Sequence, residues 1–181
     1  MHTISRDSPC YYLMSVAKDR LPVFRTDEIK LITCAALNEA RMSGKFALYA
    51  YVIMPDHLHV ATDSVLSPSK TLQFVNGITS RRIINHLKEH DHQTSLTKLR
   101  HEIRPRQYRY SLGDHHPNVR LLLSESMLME RVNYTHRNPV RAGLVTEPQA
   151  YPWSSVRCWN RSKGEDEPLL MNIERIKWRS N

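Results

Sequence analysis

Little in this sequence marks a secreted, membrane-spanning or disulfide-bonded protein. Only three cysteines occur, Cys10, Cys34 and Cys158, scattered and without a C-x-x-C pair. That argues against a disulfide framework or a zinc knuckle and fits a reducing cytoplasm. The opening "MHTISRDSPC" lacks the basic-then-apolar pattern of a secretory signal. No apolar run approaches the length of a membrane span. Internal repeats and low-complexity segments are also missing. What is present is a chain of 181 residues, 40% hydrophobic, with a formal charge of +8 and a pI near 9.6. Such a chain can close one globular core. Its charge says nothing about fold but leans toward nucleic acid or another anionic surface, against the plainer reading of a merely basic exterior.

The pattern along the chain predicts an alternation of strands and helices. "CYYLMSVA" (Cys10 to Ala17) is short, apolar and aromatic, as in a strand. Thr26 or Asp27 can cap a helix with apolar residues at Ile29, Ile32, Ala36 and Ala40, ended by Gly44. "KFALYAYVIM" is apolar on both parities, as in a strand covered on both faces. Pro55-Asp56 is a turn pair, and "HLHVATD" returns as a strand. Ser67 and Pro68 start a long helix through Leu72, Val75, Ile78, Ile83 and Leu87. The order β-α-β-β-α points to an α+β sandwich, with an antiparallel sheet and helices on one face. Residues 90–118 read as loop, with a strand near Val119 to Leu123. A further helix capped by Ser124 or Ser126 should end near Asn138, because Pro139 restricts the residue before it. Residues 1–158 form the expected domain, and 159–181 an exposed linker and short tail with an amphipathic piece from Leu169 to Trp178.

Within "YAYVIMPDHLHVATD", His57 and His59 are two apart on a strand and so share a face, with Leu58 and Val60 pointing into a core behind them. Rigid backing of that kind suits a metal or phosphate site, although two half-exposed sheet histidines would look the same. That face is not expected to be core. A second H-x-H, His90 and His92, lies in a polar stretch and reads as solvated loop. In "ERVNYTHRNPVRAGLV", Tyr134 and Asn138 are four apart on one helix face, with Glu130 a turn earlier. Arg131, Arg137 and Arg141 surround the tyrosine, and the guanidinium fork suits phosphate oxygens.

Together, "MPDHLHVATD", "YTHRNPVRAGLV" and "YPWSS" (Tyr151 to Ser155) resemble the single-tyrosine transposases of bacterial insertion sequences. The resemblance is closest to REP-associated tyrosine transposases within the HUH endonuclease superfamily, and runs from about Cys10 to Ser155. It implies a ferredoxin-like core with an appended helix carrying the nucleophile. His57 and His59 match the histidine pair, Tyr134 the nucleophilic tyrosine, and Asn138 the polar residue that completes the metal site. The implied partner is single-stranded DNA folded into a hairpin, handled by a cytoplasmic, nucleoid-associated monomer or homodimer with no membrane contact.

Tyrosine suits such a reaction because its phenolate attacks phosphorus well and also leaves tolerably. The bond energy is kept in a 5′-phosphotyrosine, and one hard step becomes two easier ones. Two imidazoles and an amide oxygen suit Mg²⁺ or Mn²⁺ better than structural zinc, and the imidazoles tilt the choice toward Mn²⁺. Arg81, Arg82 and Lys88 in "SRRIINHLK" are candidate phosphate contacts. Arg104, Arg106 and Arg109 in "RPRQYRY" alternate with aromatics, a mixture suited to single strands; the plainer reading of either segment is a solvated charged face. Trp153 reads as a core or lid residue. The alternatives to a nickase and strand-transferase are a ferredoxin-like module that binds nucleic acid without cutting it, and a metal-binding or sensing domain.

Overall fold

The computed structural model describes residues 4–6, 8–113, 118–161 and 167–178. Four strands form the main sheet: β1 (Cys10–Val16), β2 (Leu48–Ile53), β3 (His57–Asp63) and β6 (Asn118–Leu122). Their order is β2-β3-β1-β6, with every neighbouring pair antiparallel. Helix α1 (Asp27–Gly44) joins β1 to β2, and α2 (Pro68–Glu89) follows β3. These elements form two interlocked split βαβ units, the ferredoxin-like arrangement that the resemblance implies.

Both helix starts follow the predicted chemistry. Thr26 accepts the Ile29 N–H at 3.3 Å, and Ser67 accepts the Lys70 N–H at 3.3 Å with Pro68 at the first turn. The two helices bury Ile29, Leu37, Leu72, Val75 and Ile83 against Leu13, Leu48, Leu58 and Val60 of the sheet. Every residue of β2 is buried, as its two-sided apolar pattern requires.

Helices are not confined to one face, however. Helix α4 (Glu125–Arg141) lies across the other, where Leu128 and Val132 pack with Tyr12, Tyr49, Ala61 and Leu122 in a second core. The histidine-bearing face of β3 is therefore core, contrary to expectation. Helix α4 also passes through Pro139 to Arg141 and does not stop at Asn138. Proline removes a hydrogen bond wherever it sits in a helix interior, but here only two residues follow it. Asn138 and Pro139 are buried, and Leu144 N–H closes the end on the Pro139 carbonyl at 2.9 Å. Packing outweighs the local preference.

The stretch expected as loop contains α3 (Gln93–Leu99) and a hairpin, β4 (Arg100–Arg104) with β5 (Gln107–Tyr110). Arg106 takes φ 64 at its turn, after Pro105. Nearly every residue of this hairpin is exposed, so no apolar alternation marks it in the sequence. Cations on rings help hold it: Arg100 lies 4.1 Å from the Tyr108 ring centroid and Lys88 5.0 Å from that of Tyr110.

The linker read over 160–168 lies mostly outside the described residues. Where the tail is described, Leu170, Glu174, Lys177 and Trp178 are exposed while other residues pack on the domain. Leu169 and Ile176 are buried, Asn172 N–H donates to the Leu48 carbonyl at 2.7 Å, and Arg175 lies 3.4 Å from the buried Asp63 carboxylate. Among the described residues no helix is long and apolar enough to cross a membrane.

Candidate active site

Strand β3 is central, paired with β1 and β2, so the backbone around His57 and His59 is held from both sides. The side chains share a face, as the spacing predicts, with ring centroids 4.9 Å apart. His57 is half-buried at the strand's start. Its Nδ1 lies 2.6 Å from Asp56 Oδ1, and the other Asp56 oxygen accepts from Arg20 at 3.0 Å. Partial burial raises the Asp56 pKa, but the hydrogen bonds and charges of His57 and Arg20 outweigh it and hold the carboxyl below its usual range. A carboxylate on one imidazole nitrogen fixes the ring and leaves the other nitrogen to act as a ligand. Asp56, which the sequence marked only as a turn residue, is thus part of the site; its position next to His57 was the available signal.

His59 is only 2% exposed and stacks on Tyr12, centroid to centroid 5.4 Å. Burial, then the charges of His57 and Arg131, press its pKa down to about 3, against a smaller opposing effect of Asp56. The ring is therefore neutral at physiological pH. Its Nδ1 is buried without a hydrogen-bond partner among the described residues.

Helix α4 brings Tyr134 to this pair from a distant part of the sequence. The Tyr134 ring meets His59 edge-on at 5.7 Å. Arg131 and Arg141 lie 5.8 and 5.2 Å from the Tyr134 centroid, so positive charge flanks the aromatic ring. Arg137 is exposed on the same helix. Glu130 pairs with Arg131 at 2.9 Å. Asn138, one turn beyond Tyr134, is 9% exposed, and its Nδ2 has no hydrogen-bond partner among the described residues. A flip of that amide exchanges nitrogen for oxygen, placing an acceptor at the same point.

These features fit a divalent cation. His57 is oriented by a carboxylate, His59 is neutral with one nitrogen unpaired among the described residues, and Asn138 Nδ2 is likewise unpaired. The two unpaired buried nitrogens are a cost without a partner, and a bound ion held by His59 and a flipped Asn138 amide would remove it.

"YPWSS" serves to hold this assembly. Residues 153–155 run along the edge of β2, with Ile53 N–H donating to the Trp153 carbonyl at 2.9 Å and Ser155 N–H to the Tyr51 carbonyl at 3.0 Å. Tyr151 donates its hydroxyl to the Ile53 carbonyl at 2.7 Å. Ser155 Oγ then reaches His136 Nε2 of α4 at 2.9 Å. Burial lowers the His136 pKa to about 4, so this ring too is neutral.

The proposed DNA contacts do not all converge. Arg81, Arg82 and Lys88 belong to α2, on the far face of the sheet from Tyr134. Arg81 and Arg82 both grip Glu39, the latter at 2.6 Å. Arg104, Arg106 and Arg109 are exposed on the hairpin. Arg81, Lys88, His101, Arg109 and Tyr110 line a groove between α2 and the hairpin. The second H-x-H does not lie in plain loop: His90 ends α2 and His92 precedes α3.

A family model described as IS200-like transposase matches residues 7–115. No curated protein sequence matches the chain. Among solved structures, a REP-associated tyrosine transposase bound to a REP hairpin is 12% identical, with a TM-score of 0.62, covering 100% of this chain and 98% of that one. That similarity is one of fold. A candidate transposase from Deinococcus radiodurans R1 is 20% identical over 69% of this chain and 86% of its own, with a TM-score of 0.46.

Proposed function

The chain belongs to the IS200-like transposase family, and from that premise we propose that it is a single-stranded DNA endonuclease and strand-transferase acting at DNA hairpins. The observation that carries this reading is the meeting of His57 and His59 from β3 with Tyr134 from α4, through ring contacts of 4.9 and 5.7 Å. A partly buried histidine pair beside a cation-flanked phenol is the kind of titratable cluster that nominates a functional site.

On this reading Tyr134 Oη attacks the scissile phosphorus and gives up its proton. An O–P bond forms to the tyrosine, the bond to the 3′ oxygen breaks, and that oxygen leaves as a hydroxyl. The product is a 5′-phosphotyrosine with its bond energy conserved, so the reverse attack by a 3′-hydroxyl rejoins a strand. Arg131 and Arg141 hold the phosphate against the phenol and offset its charge. Asp56 keeps His57 in one orientation, and Tyr12 does the same for His59 by stacking. His57, His59 and Asn138 would hold Mg²⁺ or Mn²⁺, whose chemistry when bound is to polarise the phosphate and neutralise its nonbridging oxygens. The hairpin arginines Arg104, Arg106 and Arg109, with Tyr108 and Tyr110, offer a surface for single-stranded flanks through charge and stacking. The similar transposase fold, solved with a REP hairpin, supports a folded-back DNA substrate.

Incubation with single-stranded hairpin DNA and Mn²⁺, followed by a denaturing gel, tests the proposal: a protein–DNA adduct supports it, and intact DNA with no adduct rejects it.

A further inference from the structure

Three histidines and a glutamate meet where α2 ends, and none of them belongs to the β3–α4 cluster. Glu28 lies in the first turn of α1, and its Oε1 is 3.7 Å from His86 Nε2 on the neighbouring α2. His90 follows His86 by one helical turn, and the two rings lie 4.3 Å apart, centroid to centroid. One ligand atom from each of Glu28, His86 and His90 falls within 4.8 Å of the others. His92 adds a third ring, 6.0 Å from His86 and 6.3 Å from His90.

The protonation of His90 is set by its partner. Its Nδ1 lies 3.0 Å from the His86 carbonyl oxygen, which can only accept. The neutral ring must therefore carry its proton on Nδ1 and its lone pair on Nε2. That is the tautomer of a metal-ligating imidazole held by a backbone carbonyl. A cavity of about 320 Å³, lined in part by Glu28, His86 and His92, opens beside the cluster and leaves room for a further ligand.

We propose that Glu28, His86 and His90 hold a divalent transition ion of the Zn²⁺ class, with His92 or a water completing the shell. Imidazole nitrogens with one carboxylate oxygen are a zinc-type donor set, whereas Mg²⁺ favours oxygen throughout. The ion would clip the start of α1 to the end of α2, at the root of α3 and the exposed hairpin. It is distinct from any ion at His57 and His59, which lie on the other face of the sheet.

The test is Zn²⁺ titration calorimetry and thermal unfolding of the full chain carrying His57→Ala, which disables the β3–α4 ligand set. One Zn²⁺ should bind and raise the melting temperature. Adding His90→Ala or Glu28→Gln should weaken that binding by at least about tenfold and remove the thermal gain. Glu28 and His90 are both exposed, so unfolding without zinc should be the same in all three proteins. Co²⁺ in place of Zn²⁺ should give visible absorption bands that the same substitutions abolish. Absence of Zn²⁺ uptake, or uptake with unchanged affinity in both variants, overturns the proposal and leaves a polar cluster only.

Discussion

Asp56 Oδ1 sits 2.6 Å from His57 Nδ1, so a residue that makes a tight turn also fixes the ring that follows it. The turn and the site are one structure. The Met54 N–H donates to the His57 carbonyl at 2.8 Å, closing the reversal between β2 and β3 with Pro55 and Asp56 at its corner. Asp56→Asn keeps the shape but removes the carboxylate charge. Mn²⁺ affinity measured by titration should fall about 10- to 100-fold, with little change in melting temperature. Unchanged affinity would mean that Asp56 serves the turn alone.

His59→Ala should cost stability as well as activity. The ring is buried against Tyr12 and Tyr134, so its removal leaves a cavity worth on the order of 1–3 kcal/mol. His57→Ala, at the more open end of the strand, should cost less. Urea unfolding of both variants checks the order, and a reversed order would contradict the burial described for β3.

Acid should weaken the fold through His136 and His59. Their native pKa values are lowered by burial, to about 4 and about 3, from 6.5. In the unfolded chain both rings take up protons as pH falls through 6.5, while the native rings resist until near 4 and 3. The unfolded state then binds more protons, so stability is full above about pH 6.5 and is lost as pH falls through that window. For His136 alone the loss is on the order of 2–3 kcal/mol. His136→Gln, which can still reach Ser155, should flatten the pH dependence of the urea midpoint between 6.5 and 4. A slope identical to wild type would exclude His136 as a source.

Phosphate contacts should be unequal. Arg141→Ala removes a guanidinium beside Tyr134 that has no carboxylate partner among the described residues, and should weaken hairpin binding and lower the salt slope by about one phosphate contact. Arg82→Ala removes a cation already held by Glu39 on the other face, and should change both quantities less. Fluorescence anisotropy over a salt series separates the two. Equal losses would place α2 in the DNA path as firmly as α4.

Much of this molecule was legible in its sequence where periodicity and caps agree. Thr26, Ser67 and Ser124 start the helices where polar caps precede apolar spacing. The shared face of His57 and His59 follows from strand geometry alone. What escaped were features set by tertiary contact. The second core beneath α4 depends on which face that helix covers, and small residues such as Ala50 and Ala61 give no sign of it. The passage of α4 through Pro139 overrides a local rule by burial. The hairpin at 100–110 has no buried face to write a pattern. Glu28, His86, His90 and His92 come together only because α1 packs along α2, and spacing along the chain shows just the last three.

The most direct measurement is the fate of the covalent adduct in Tyr134→Phe. The substitution removes one oxygen and almost no volume from a half-buried ring, so folding and hairpin binding should persist. With hairpin DNA and Mn²⁺, the wild type should yield a 5′ adduct that mass spectrometry places on the peptide containing "VNYTHR", and the variant should yield neither adduct nor nick. An adduct that survives in Tyr134→Phe, or one mapped to Tyr108 or Tyr110, would contradict the assignment of Tyr134 as nucleophile.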